Sequence, residues 1–221
     1  MENRNITVTL SKAKEWFNSG NATLKEIALQ AFSKEELNRL DFTKIKTFED
    51  ALTALGYDES TKAYIRNTIN DISMYSRASA AMTKLNIIRK ALNLGQDLHL
   101  TKDPKDCYIY YPYNPFVTES STYYNSEINS GKMEILGKIK SEGKEYNVLG
   151  GNADDVGYAG LGLFYSGYGV GDALADIGFL GCANKEIAQH LGKYFGMLIT
   201  EAKYGDMVDF NIIEDKYGCT Q

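Results

Sequence analysis

The sequence predicts an α+β protein in which small helices precede an antiparallel sheet flanked by two long helices. Three observations predict it. Capped helical patterns follow one another as far as residue 93, the period changes after residue 107, and a second long helical pattern opens at Asn184. With 43% hydrophobic and 12% aromatic residues among 221, the chain can bury a real core, and its length suits one domain with a small extension. Residues 1–75 are expected to form a small helical region, an anchor, and residues 76–221 an α+β domain.

Ile6 to Leu10 alternates like a short strand, and Ser11 can cap a helix that runs to Asn18 before Gly20. Leu24, Ile27, Ala28 and Ala31 recur at helical spacing next. Ser33 with Glu36, and Thr47 with Asp50, have the spacing of capping boxes, so helices start there. The first ends near Leu40 and the second is closed by Gly56, while Asp58 to Ile72 is a further helical pattern. Ser76 to Asn93 is the strongest helix, with Ala78, Ala81, Met82, Leu85, Ile88 and Leu92 on one face and Gly95 as its stop.

The stretch CYIYYPYNPFV, from Cys107 to Val117, has strand composition, but its two prolines confine it to an edge or break it into short pieces. Met133 to Lys140 and Glu145 to Leu149 form a hairpin about a turn through Ser141 to Lys144. Short strands fit around Leu161 to Tyr165 and Ala175 to Leu180, so strands span about 107–180. Asn184 caps a last helix from Lys185 to about Lys203, followed by a C-terminal tail. Its apolar face is Ile187, Leu191, Tyr194, Phe195, Leu198 and Ala202. Ala188, Gly192 and Gly196 line a second stripe. Glycine in a helix costs about 1 kcal/mol relative to alanine, so two on one line imply that another backbone comes close. That neighbour is the start of the 76–93 helix or the same helix of a second copy, in which case the stripe is a self-association surface.

Net charge is −5 with no lysine or arginine block, which argues against nucleic acid as a partner. The longest apolar runs are far below the ~20 residues that cross a bilayer, so no membrane partner is expected. The start, MENRNITVTLSKAKEWF, has no apolar signal core. Three cysteines, Cys107, Cys182 and Cys219, suit reduced thiols better than a disulfide framework.

Half of the twenty glycines lie between Gly150 and Gly181, around the stretch from Gly157 to Cys182. A phosphate loop needs a lysine at a helix start, yet no lysine or arginine occurs from Glu145 to Asn184, and Asp154, Asp155, Asp172 and Asp176 would repel the anion. With Asn152 those aspartates could offer oxygen ligands to calcium or magnesium, but their spacing fits no EF-hand, and turns account for them. His99 and His190 stand apart from any Cys or His at zinc spacing. No metal and no cofactor are expected. Cys182, just before a helix N-terminus and eight residues from His190, is the one hint of an activated thiol, set against the usual role of a small buried hydrophobe. Ten of sixteen tyrosines lie between Tyr108 and Tyr168, beside Ser, Asn, Asp and Gly, the mix that displayed binding surfaces use. Tyr110, Tyr113, Asn114, Tyr165, Tyr168 and Asp172 are the expected displayed set, and the remaining tyrosines are expected to pack across the sheet.

The segments SRASAAMTKLNIIRKALN, KDCYIYYPYNPF and FLGCANKEIAQHLGKYFGMLITEAK, with the opening TVTLSKAKEWFNSGNATLKEIALQAFSKEEL, resemble a group of proteins from phages and prophages of gut Bacteroidales, including crAss-like phages. The likeness covers most of the chain, and its motifs are structural. It implies a phage-encoded, virion-associated protein made in the host cytoplasm and brings no site residues with it. The function expected is that of a non-enzymatic capsid decoration or head fibre protein that binds itself, other phage or host proteins, and surface glycan. The alternatives are a soluble counter-defence or host-takeover binding protein, and an enzyme acting on glycans through paired carboxylates among the four aspartates.

Overall fold

A computed structural model of the chain describes residues 8–38, 41–94, 108–112, 114, 116–118, 122, 125–151, 162–165 and 180–220. The fold is α+β, as its sequence predicts. The chain divides into two units, Met1–Asp41 with Leu94–Gln96, and Phe42–Asn93 with Asp97–Gln221.

The first unit holds α1 (Leu10–Asn18), α2 (Ala22–Ala31) and α3 (Lys34–Asn38) around Ala13, Ala28 and Leu37, with Val8, Trp16, Phe17 and Phe32 packed on them. The cap of α1 is Thr9, whose hydroxyl accepts the Lys12 N–H, two residues before the expected cap Ser11. Residues 1–7 lie outside the described residues; of the expected strand from Ile6 to Leu10 the rest is no strand, because Thr9 caps α1 and Leu10 is its first residue. The Ser33–Glu36 capping box forms in both directions, at 2.8 and 3.2 Å.

In the second unit a 3-10 turn (Phe42–Lys44) leads to α4 (Phe48–Ala54), α5 (Glu59–Ser73) and α6 (Arg77–Leu92). Thr47 and Asp50 close a capping box on α4, and Asp58 and Ser76 cap α5 and α6. The expected boundary at residue 75 falls inside this unit. Ile45 and Ala51 share one core with Ala81, Leu85, Ile88 and Leu92 of α6, so the helices before residue 75 from Phe42 onward belong with the sheet.

The proline-bearing stretch breaks as its composition predicts. β1 (Tyr108–Tyr111) pairs with β5 (Gly162–Tyr165) in a two-stranded sheet, and β2 (Phe116–Thr118) is an edge of the four-stranded sheet. A short helix, α7 (Asn125–Asn129), precedes the hairpin of β3 (Met133–Ser141) and β4 (Lys144–Gly151). Its two turn residues, Glu142 and Gly143, have φ of 51° and 74°, the left-handed pair that a tight hairpin with the sheet's natural twist requires. The last helix, α8 (Lys185–Tyr204), is capped by the Asn184 side chain, which accepts the Ile187 N–H. In place of a free tail, β6 (Asn211–Asp215) returns to β3 and completes the antiparallel order β2-β4-β3-β6. The expected strand from Ala175 to Leu180 lies almost wholly outside the described residues, and Leu180 is buried beside Cys182 in the main core.

Candidate functional site

Both faces of α8 are built from the sheet by one irregularity. β3 and β4 pair Ile135 with Leu149 and then Gly137 with Val148, which leaves Leu136 as an inserted, bulged residue. A bulge changes which residues face which side. Met133 packs with Leu149, Val117 and Ile128 in a small cluster of its own, whereas Leu136 and Ile139 join the main core with Val148 and α8.

On the inward face of α8, Leu136 fills a slot made by glycines. A Cβ on Gly196 would stand 2.4 Å from Leu136 Cδ1 and 2.8 Å from Asn114 Nδ2, and one on Gly150 would stand 2.7 Å from Leu136 Cδ1. Real carbons do not approach so closely, so the glycines are what lets helix and hairpin meet. Asn114 crosses between them, its amide donating to Leu149 O at 3.1 Å and to Gly192 O at 3.0 Å. This corrects two expectations. Asn114 is half-buried and ties the helix to the hairpin, so it is not displayed. The stripe of Ala188, Gly192 and Gly196 is buried within the chain, against the hairpin and the β1–β2 connection, so it offers no face to a second copy. The start of α6 meets α8 elsewhere: a Cβ on Gly205 would stand 3.1 Å from Ala78 N.

The outward face carries a lysine–tyrosine cluster that sequence reading missed. Because of the bulge, Glu134 turns toward α8. Its carboxylate accepts Lys216 Nζ and the Tyr217 hydroxyl, the latter at 3.1 Å, and lies 3.5 Å from Lys193 Nζ. Leu136 O accepts the Lys216 N–H at 2.8 Å, which sets that lysine beside Glu134. Four rings run across the face: Phe42 on His190, His190 on Tyr194, Tyr194 on Tyr217, with centroids 5.6, 4.6 and 5.0 Å apart. Lys46 and Lys193 place their ammonium groups 5.3 and 5.7 Å from the Tyr194 centroid, and Lys216 sits 5.3 Å from that of Tyr217. Burial pushes the Glu134 carboxyl up, but Lys216, Lys193 and the Tyr217 hydroxyl outweigh it and hold it below its ordinary value. Bonding to Glu134 holds Lys216 above its ordinary value, and burial with the Glu134 charge does the same for Tyr217. Two lysines, Lys193 and Lys216, thus meet one carboxylate, while Lys46 lies over the Tyr194 ring.

A second surface lies at the far end of α8. Asp206 accepts the Ser76 hydroxyl and the Ala78 N–H, which fixes the turn after α8 against the turn between α5 and α6. Arg77 and Glu201 pair beside it at 2.8 Å, and the Arg77 guanidinium lies over Phe210. Four large apolar side chains on these turns face solvent: Tyr75 is 90% exposed, Val208 84%, Met74 79% and Met207 47%. Asp71, Asp206 and Asp209 stand exposed among them.

Other expected groups fall differently. Tyr110 and Tyr165 sit in paired strands, opposite Leu163 and Tyr108, and their side chains lie outside the description. Tyr113, Tyr168, Asp172 and most of the stretch from Gly157 to Cys182 lie outside the described residues. Cys182 is not an activated thiol. It donates to Leu180 O at 3.3 Å, and burial raises its pKa to about 12. His190 faces Ile45 O at 2.6 Å and belongs to the ring row. Among the described residues no group of three His, Cys, Asp or Glu side chains could hold a metal ion, and no helix is long and apolar enough to cross a membrane.

Comparison with protein-family models, with curated proteins and with solved structures finds no significant match.

Proposed function

We propose that the chain is a non-enzymatic, virion-associated phage protein of the capsid decoration or head fibre kind, working by association with itself and with other shell proteins. The likeness of its segments to proteins of Bacteroidales phages supplies the setting. The observation that carries the mode of action is the tip at the end of α8. Burying Tyr75, Val208, Met74 and Met207 against a partner would contribute roughly 1.5–3 kcal/mol for each side chain fully covered. Contiguous exposed apolar side chains on a folded unit are a feature of docking surfaces.

Mass spectrometry of purified particles tests the reading. The chain is expected at a fixed copy number relative to the major shell protein. Its absence from particles, with abundant free copies early in infection, would favour a host-takeover factor and overturn it.

A further inference from the structure

We infer that Asp206 is an acid-released latch: charged, it holds the two turns of the apolar tip together, and once protonated it lets them part. The device lies within one chain and is independent of what the tip docks with. It starts from the N-terminal end of α6, whose first N–H groups have no partner inside the helix. They are met from two sides. On the near side the Ser76 hydroxyl accepts the Ser79 N–H at 2.9 Å, and the Ser76 carbonyl accepts the Ala80 N–H at 3.1 Å. On the far side Asp206, 128 positions along the chain, accepts the Ala78 N–H at 3.1 Å, with a lesser share in the Arg77 N–H. The same carboxylate accepts the Ser76 hydroxyl proton, so one side chain from the turn after α8 completes the cap of α6.

What the carboxylate joins gives the cap its consequence. Met74 and Tyr75 belong to the turn before α6, Met207 and Val208 to the turn after α8, and Asp206 spans the two. The bodies of the helices are held by other means. Ala81, Leu85 and Ile88 share the main core with Leu198 and Ala202, and Arg77 pairs with Glu201, so parting is confined to the turns. Everything that bonds Asp206 there prefers its charged form. The Ser76 hydroxyl, then the Ala78 N–H, hold its carboxyl below the ordinary value of 3.8 against a slight opposing cost of burial. The positive end of the α6 dipole acts in the same direction. The elements around it carry Arg77 on α6, Glu201 and Lys203 on α8, Asp71 on α5 and Asp209 on its own turn, and the Arg77 charge also favours the carboxylate. The latch is therefore closed above the ordinary value and is lost as pH falls through the folded one.

Nuclear magnetic resonance of the full chain, titrated from pH about 6 to about 2, tests this. The Asp206 carboxyl and the Ala78 amide are expected to titrate together, with a midpoint below 3.8. Across that step the exchange of the Ala78 amide, relative to its intrinsic rate, is expected to rise roughly three- to thirtyfold, the range that follows from losing one helix cap. The Leu191 and Phe195 amides, in the body of α8, are expected to keep their protection. Asp206→Asn keeps an acceptor oxygen without the charge. It is expected to exchange faster at Ala78 already at pH about 6 and to show no acid step there. A midpoint at or above 3.8 would overturn the inference, as would an Ala78 amide that stays protected after Asp206 has titrated. So would an acid step in Asp206→Asn as large as that of the wild type. Loss of protection at Leu191 and Phe195 together with Ala78 would also overturn it, since the whole unit would then be unfolding. If Asp206→Asn does not fold, the wild-type titration decides alone.

Discussion

The two faces of α8 are held by different physics. Inward, close approaches at Gly150 and Gly196 let a leucine and an asparagine fill the space between helix and hairpin, a third at Gly137 admits Met197 and the backbone of β6, and shape decides everything. Outward, Glu134, three lysines and four rings make a partly exposed network in which charge and solvent share control. A packed slot tolerates no added atom, whereas a half-exposed network tolerates substitution and responds to pH. The first face therefore weighs more on the stability of the fold than the second.

The largest expected effects break the inward face. Leu136→Ala removes a side chain with no exposure and should cost about 2–5 kcal/mol, read as a fall in the denaturation midpoint. Gly196→Ala should cost about 1–3 kcal/mol despite alanine's better helix propensity, because its Cβ has nowhere to go. Combined, the two should cost less than their sum, since the alanine at 136 vacates the atom that the alanine at 196 would strike. Strict additivity would show that the slot is not the shared cause. Asn114→Ala leaves Leu149 O and Gly192 O without their donor and should cost about 1–3 kcal/mol.

The smallest effect belongs to the outward face. Glu134→Gln should cost no more than ~1 kcal/mol near neutral pH, because the cluster is partly exposed and screened. It should change the pH profile more clearly. A carboxyl held below its usual value of 4.5 contributes stability that is present above that value and is lost as pH falls through its folded value. Lys216, held above 10.5, contributes below that value and loses its share as pH rises through its folded one. Thermal melts of the wild type should therefore decline at both extremes, and Glu134→Gln should flatten both limbs. Equal acid limbs in the two proteins would remove Glu134 from the account.

Much of the fold was legible because its signals are local. Thr47 with Asp50, Asp58, Ser76 and Asn184 each mark a helix start within three residues, and the hairpin turn names itself through Glu142 and Gly143. The glycines of α8 were legible as a close approach but not as to what approaches, since a missing side chain states only that space is needed. The lysine–tyrosine face was illegible for the opposite reason. Lys46, Glu134, Lys193 and Lys216 come from four separate parts of the chain, and none has an unusual neighbour in sequence. β6 went unread because Ile212 and Ile213 stand side by side rather than alternating, which the irregular pairing at Ile213 explains afterwards. The boundary at residue 75 followed the change from short helices to a long one, while the structure groups residues by shared core, and Ile45 already belongs to the core of α6.

The insertion of Leu136 in β3 works like a change of reading frame. Upstream of it the strand shows one phase of its sequence to α8, downstream the other, and both faces of the helix depend on the switch. Removing one residue there would not be a local lesion: Glu134 would rotate away from Lys193 as Ile135 rotated in, while the slot at Gly196 lost its occupant. The interior and the charged surface of this unit are thereby inherited together, so drift in one is constrained by the other, and neither can be retuned by altering the length of that strand.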